Sequence, residues 1–184
     1  IYVPSTHESV KRVVRDIGTH EFTEDVVRAH LEGRYLIGVY PINKDSNVRF
    51  FALDFDGKDG DPWEEAIAQA KILTEEAGLH VYIERSQSGN GYHVWGFIDG
   101  EMNAGMVRHA LSPFIEKVET FDRMFPNQAG ISPEQPYGNL IALPLAGCRV
   151  EQGNSVFVRR DSDGNPEPVP DQIGFIKKIR LNSV

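Results

Sequence analysis

The stretch Val48-Arg49-Phe50-Phe51-Ala52-Leu53-Asp54-Phe55-Asp56 constrains the fold more than any other. It is apolar for most of its length and ends in two carboxylates. In a β-strand, residues two apart share a face. Phe50, Ala52, Asp54 and Asp56 therefore line one face, and Phe51, Leu53 and Phe55 fill the other. A strand apolar on both faces belongs inside a covered sheet. Two like charges side by side at its end repel, and protonation or a bound cation relieves them. Hard divalent ions take carboxylate oxygens and keep open positions for substrate phosphates. The stretch also reads as two solvated acids entering a turn, since Asp56-Gly57 is a turn dipeptide.

The 184 residues, 40% hydrophobic and 25% charged, suffice for one domain with a sizeable core. Helical and strand patterns alternate, which points to an α/β or α+β class. The single cysteine, Cys148, excludes a disulfide framework and favours an intracellular, cytoplasmic setting. No apolar run is long enough to span a bilayer and no signal peptide is visible, so no membrane partner is expected. The chain starts at Ile1 rather than Met and is expected to be one domain of a longer protein. A net charge of −8 argues against a broad nucleic-acid-binding surface. It leaves room for a catalytic domain that holds nucleic acid through metals and a local basic strip.

Val10, Val13, Val14 and Ile17 have helical spacing over residues 7–17. Thr23 can cap a second helix, with Val26, Val27, Ala29 and Leu31 inward and Gly33 as its stop. Residues 1–33 thus read as a helical preface to a catalytic unit over 34–184. The stretch 35–42 reads as a strand, joined to the Asp54 strand by the turn 43–47 as a β-hairpin. Asp61-Pro62 starts a helix that runs from Trp63 to about Ala77, with Gly78 beyond it. Residues 80–85 and 92–98 are strands joined through Ser86–Gly91. In the second, His93, Trp95 and Phe97 share a face. A helix is predicted over 103–119, with a kink or break at Pro113. A short strand running into a loop is expected over 121–128, further strands at 139–145 and 155–158, a turn at 161–165, and a closing helix over 171–180.

Ser86-x-Ser88-Gly89-Asn90-Gly91-x-His93 is the second chemical signal. Asn90-Gly91 favours a tight hairpin turn. Small residues let backbone approach a ligand, and successive N–H groups can form an anion nest. Ser86 and Ser88 add hydroxyls; Arg85 and His93 can add positive charge. The set suits a polyphosphate, although an ordinary hairpin tip has the same look, and Arg85 could simply partner Glu84. Asp122, after Phe121, is a third acid that could join Asp54 and Asp56 around two cations, which together can clamp an in-line displacement at phosphorus.

D-F-D, then E-R-S-Q-S-G-N-G-Y-H-V-W, F-D-R-M-F-P-N-Q and G-N-L-I-A-L-P-L together resemble the archaeo-eukaryotic primase superfamily. The sequence is most similar to the primase–polymerase domains of TOTE conflict systems and their CRISPR-associated relatives, over about residues 24–175. The resemblance implies an α+β fold: an RRM-like catalytic sheet with an additional α/β unit and, here, a short N-terminal helical segment. It implies that Asp54, Asp56 and Asp122 bind two divalent cations, Mg²⁺ or Mn²⁺. It implies that Ser88 and His93 bind the phosphates of the incoming nucleotide. Ser86, Gly89, Asn90 and Gly91 belong with them, and Arg85, Arg123 and Asn139 are further candidate contacts, with Tyr40 a possible base or sugar contact. Asp161 and Asp163 rival Asp122 as the third acid.

The expected activity is template-directed nucleotidyl transfer. Its substrates are NTP or dNTP and a single-stranded or primed DNA template, with RNA as a variant. Two other functions fit parts of the pattern. A metal-dependent nuclease could use Asp56 and Glu84, but Ser86 stands where a lysine usually follows such a pair. A histidine–histidine nickase is disfavoured because His93 lacks a histidine two residues away. A non-catalytic RRM-like binder could stack bases on Trp95 and Phe97, although core packing suits those side chains better.

Overall fold

The computed structural model describes residues 22–57 and 60–183, together with the backbone of a strand at Tyr2–Ser5. In chain order the elements are β1 (Tyr2–Ser5), α1 (Glu24–Leu31), β2 (Leu36–Val39), β3 (Asn47–Asp56), α2 (Pro62–Glu75), β4 (Tyr82–Arg85) and β5 (Gly91–Asn103). They continue with α3 (Ala104–Leu111), β6 (Phe121–Phe125), β7 (Ile141–Ala142), α4 (Gly147–Val150), β8 (Val156–Arg160), β9 (Pro166–Pro168) and α5 (Gln172–Ile176). The class is α+β, as the resemblance implies. The predicted helix over 7–17 lies outside the described residues.

Six strands form one antiparallel sheet in the order β6-β3-β5-β4-β8-β9. Three more, β1-β2-β7, form a second antiparallel sheet. The alternation in β3 shows why the molecule is layered. Phe51, Leu53 and Phe55 are buried with Tyr92, Val94 and Ile98 beneath Trp63, Ala66 and Leu73 of α2 and Val107 and Leu111 of α3. Ala52 and Trp95 face the other way and pack with Phe125, Phe157, Ile141 of β7 and Val39 of β2. Each such large apolar side chain contributes about 1.5–3 kcal/mol by leaving water. Both faces of the strand are therefore covered. Its last residues, Asp54 and Asp56, lie where that cover thins and are partly exposed.

Helix boundaries follow their caps. The Thr23 hydroxyl accepts from the Val26 N–H at 3.4 Å, and Gly33 leaves α1 with φ +76°. The Asp61 carboxylate accepts from the N–H groups of Trp63 (3.0 Å) and Glu64 (3.2 Å), with Pro62 at the first helical position.

Four expectations need correction. The strands around the 43–47 turn do not form a hairpin. The Asn43 side chain closes that turn by accepting from Asp45 N and Asn47 N at 3.0 and 2.9 Å. Both edges of β2, however, are taken by β1 and β7, and both edges of β3 by β5 and β6. The helix expected over 103–119 ends at Leu111 and gives way to a 3-10 turn over Ser112–Phe114, as Pro113 requires. Beyond it, buried Gln69 donates to the Phe114 carbonyl (2.8 Å) and accepts from Glu116 N (2.9 Å), holding that segment extended. The strand expected at 139–145 is confined to Ile141 and Ala142, with one further bond from Leu143 N to the Ile37 carbonyl (2.8 Å) before Leu145, at φ +65°, turns the chain into α4. The helix expected over 171–180 ends at Ile176, where i→i−3 bonds from Lys178 and Ile179 tighten and close it. The segment before residue 34 also holds β1, whose pairing with β2 ties it into the second sheet. Among the described residues, no helix is long and apolar enough to cross a membrane.

Candidate catalytic site

Strand register alone aligns four charged residues. In the β4–β5 hairpin, Glu84 lies opposite His93 and Arg85 opposite Tyr92. Between β3 and β5, Asp54 lies opposite His93 and Asp56 opposite Gly91. Between β3 and β6, Arg123 lies opposite Asp54. Cross-strand partners share a face. A row of alternating charge, Arg123–Asp54–His93–Glu84, therefore crosses four neighbouring strands.

His93 is the hinge of this row. Its Nδ1 lies 2.7 Å from Glu84 Oε2, and its Nε2 lies 3.4 Å from Asp54 Oδ1. Trp95 Nε1–H donates to the same Glu84 oxygen at 2.9 Å. The Glu84 side chain is 1% exposed, that of His93 9% and that of Asp54 22%. The row thus runs from the interior at Glu84 toward solvent at Asp54. Burial is the largest single influence on His93 and pulls its pKa down. Glu84 and Asp54 together outweigh burial and raise it from 6.5 to about 10. The ring is an imidazolium at neutral pH, with an N–H toward each carboxylate. Oε1 of Glu84 is buried without a hydrogen-bond partner among the described residues.

Asp56 is positioned through its backbone. Its N–H donates to the Thr120 carbonyl at 2.8 Å. Glu65 of α2 in turn accepts from both the N–H and the hydroxyl of Thr120. Two glycines let the hairpin tip close over the end of β3. A Cβ at Gly91 would collide with the Phe55 carbonyl oxygen, and one at Gly57 with that of Asn90. The Ser86–Gly91 turn consequently sits beside the two acids.

That turn is shaped by its own hydroxyls. Ser86 Oγ and Ser88 Oγ are 3.0 Å apart. The Ser88 hydroxyl accepts from Asn90 N (3.2 Å) and that of Ser86 from Gly91 N (3.3 Å). Gly89 adopts φ +82° against the Asn154 side chain. Arg85 is separated from this group. It sits over the Tyr92 ring and donates to the carbonyls of Gly153 (3.2 Å) and Pro166 (3.1 Å), on the face opposite His93.

A register shift between Asp54 and Phe55 leaves Asp122 as the unpaired residue of β6. Its carboxylate is engaged by Arg123, with Nε–H donating at 2.6 Å. Among the described residues, no group of three or more His, Cys, Asp or Glu is arranged to hold a metal ion by itself. Asp54 and Asp56, hard oxygen donors two apart on one face and both partly exposed, fit a divalent cation whose other positions are filled by substrate oxygens. Asp161 is occupied elsewhere: its carboxylate accepts from Asp163 N (2.9 Å) and Asn165 N (2.8 Å). That turn joins β8 to β9, at the sheet edge opposite β6. Tyr40 packs on Tyr137, ring centroids 5.1 Å apart, and Asn139 N–H donates to the Asn127 side chain at 2.9 Å.

Two competing chemistries lose their geometry. Glu84 faces His93 rather than Asp56, and its carboxylate is bonded to two buried ring N–H groups, so the acid pair of a nuclease does not form. Trp95 is 1% exposed and stacked parallel to Phe97, so it offers no face to a base. Sequence reasoning missed Glu84 as the partner of His93. The signal was present: once 85 and 92 flank the turn, 84 and 93 must pair.

The family model described as "TOTE conflict system, Archaeo-Eukaryotic Primase domain" matches residues 4–184. None of the curated proteins compared with the chain matches it.

Proposed function

The chain belongs to the TOTE conflict system archaeo-eukaryotic primase domain family, and on that premise we propose that it is a metal-dependent primase–polymerase core. It transfers a nucleotide from an NTP or dNTP to a 3′-hydroxyl on a nucleic-acid template and releases pyrophosphate. The observation that carries this reading is the row Arg123–Asp54–His93–Glu84 ending beside the Ser86–Gly91 turn.

The two reactants need opposite things from the site. A triphosphate needs compensating positive charge, and an attacking hydroxyl needs help in losing its proton. Asp54 and Asp56 supply the carboxylates on which divalent cations are held, and Asp122 is the third acid. When bound, Mg²⁺ or Mn²⁺ supplies the charge that acidifies the 3′-hydroxyl and neutralises the departing pyrophosphate. His93, kept protonated by Glu84, directs a charged N–H toward the Asp54 side, where a phosphate oxygen can accept it. Gly89, Asn90 and Gly91 bring backbone close to the acids without side-chain bulk, and Ser86 and Ser88 hold the turn in shape. Arg123 balances Asp122 on the β6 side of Asp54.

The test is incorporation of labelled nucleotide on a primed template with Mg²⁺ or Mn²⁺. Asp54→Ala and Asp56→Ala should each abolish incorporation while circular dichroism shows the fold intact. Wild-type rates in both variants would remove the metal-pair chemistry.

A further inference from the structure

We propose that the cleft along the outer edge of β6 binds the phosphodiester backbone of a single nucleic-acid strand. The inference rests on the polymerase reading and adds to it a place for the second reactant. The cavity, about 550 Å³, is lined among others by Arg108, Ser112, Lys117, Phe121, Arg123 and Asn127. Three of its lining residues are cations and none is an acid. That composition runs against the chain as a whole, which has 27 Asp and Glu against 19 Lys and Arg. Local positive charge on an acidic domain concentrates polyanions at one place rather than over the surface.

The position of the cleft decides which polyanion. On β3, Asp54 has two strand neighbours: β5, with His93, and β6, with Arg123. The β5 side carries the Ser86–Gly91 turn, which the proposed function gives to the triphosphate. The β6 side is then the approach left for the strand that supplies the hydroxyl and the template. β6 is the terminal strand of its sheet, so its outer side has no pairing partner among the described residues. Phe121 and Met124 face the helices, with Arg108 of α3 beyond them, while Arg123 pairs in register with Asp54. The cleft thus wraps the sheet edge and ends one residue from Asp122. Arg108 is already oriented there, because its Nη1–H donates to the Pro126 carbonyl at 2.7 Å. Ser112 donates its hydroxyl to the Arg108 carbonyl at 2.6 Å, and Lys117 is exposed at the rim.

The experiment is fluorescence anisotropy of a labelled single-stranded oligonucleotide over a salt series, without nucleotide or divalent metal. Lys117→Glu and Arg108→Glu are expected to weaken binding by about tenfold each, equally for different base sequences. Each should also make the slope of log K against log salt shallower by about 0.7, the value for one phosphate contact on a single strand. Arg159→Glu changes the net charge by the same amount on β8, the strand next to the sheet's far edge, and should leave affinity and slope at wild-type values. Lys117→Glu, at an exposed position, carries the test if Arg108→Glu unfolds. Unchanged affinity and slope in Lys117→Glu would overturn the proposal. So would equal weakening by Arg159→Glu, or a wild-type chain that binds no single strand at low salt. If wild type still incorporates nucleotide while Lys117→Glu binds strand normally, the cleft assignment fails and the catalytic reading stands. Loss of incorporation in wild type tests that reading separately.

Discussion

Glu84→Gln should flatten the dependence of stability on pH above neutrality. In the folded chain, Glu84 and Asp54 lift His93 from 6.5 to about 10 against the downward pull of burial. One pKa unit corresponds to about 1.4 kcal/mol, so the excess of the carboxylates' attraction over the burial penalty favours the folded imidazolium by roughly 5 kcal/mol. A folded-state pKa above the unfolded value means that the native state holds a proton the unfolded chain releases. The stabilisation is complete below about pH 6.5 and is lost as pH climbs toward about 10, at up to ~1.4 kcal/mol per pH unit. Urea denaturation in chelator-containing buffer should therefore show wild type losing roughly 2–3 kcal/mol between about pH 7 and about pH 9. Glu84→Gln keeps the shape and one acceptor but removes the strongest attraction, so most of that loss should vanish. Glu84→Leu leaves His93 and Trp95 Nε1 without their shared acceptor. It should cost about 3–5 kcal/mol, the usual penalty for stranding half of a buried pair. For a chain of this size that lowers Tm by roughly 10 °C. Equal pH slopes in wild type and Glu84→Gln would refute the coupling of Glu84 to His93.

His30 should act in the opposite sense. It is buried, its Nε2–H donates to the Pro144 carbonyl (2.9 Å), and its Nδ1 accepts from Ile37 N (3.2 Å), so the native ring is neutral. Burial lowers its pKa below 6.5. The unfolded chain then takes up the proton first, and stability present above about pH 6.5 should fall on acidification, less so in His30→Gln, as followed by urea midpoints at about pH 5.5 and about pH 7. Gly89→Ala forces a side chain into φ +82° against Asn154. It should cost about 1–2 kcal/mol or more in thermal unfolding, and an unchanged Tm would show that the turn is not held in that conformation. Chelation of divalent ions should stop nucleotide incorporation, and Mn²⁺ or Mg²⁺ should restore it.

Where period and punctuation agree, the fold can be read from the residues. The alternation of β3, the Asp61-Pro62 start of α2 and the break at Pro113 all depend on neighbours in sequence, and all stand in the structure. The misplaced hairpin depends on something else. A tight turn at Asn43 is local, but whether its flanking strands pair depends on which edges distant strands already occupy. β1 and β7 take both edges of β2 from opposite ends of the chain. The burial of Gln69 has no local signal, because its acceptor and donor, at Phe114 and Glu116, lie 45 and 47 residues away in the chain. The site divides similarly. Asp54, Asp56 and His93 were visible as a same-face acid pair and a strand histidine. Their opposition across β3 and β5 is a matter of register, which composition does not state. The engagement of Arg85 with Gly153 and Pro166, and of Asp122 with Arg123, required coordinates.

The central claim is that Asp54, Asp56 and Asp122 hold divalent cations beside a triphosphate. Electron paramagnetic resonance titration of Mn²⁺ with a non-hydrolysable nucleoside triphosphate addresses it directly. Wild type is expected to bind two Mn²⁺ per triphosphate complex. Asp54→Asn and Asp56→Asn should each lose tight metal binding, and Asp122→Asn should lose one ion. Wild-type Mn²⁺ titrations in Asp54→Asn and Asp56→Asn would contradict the account.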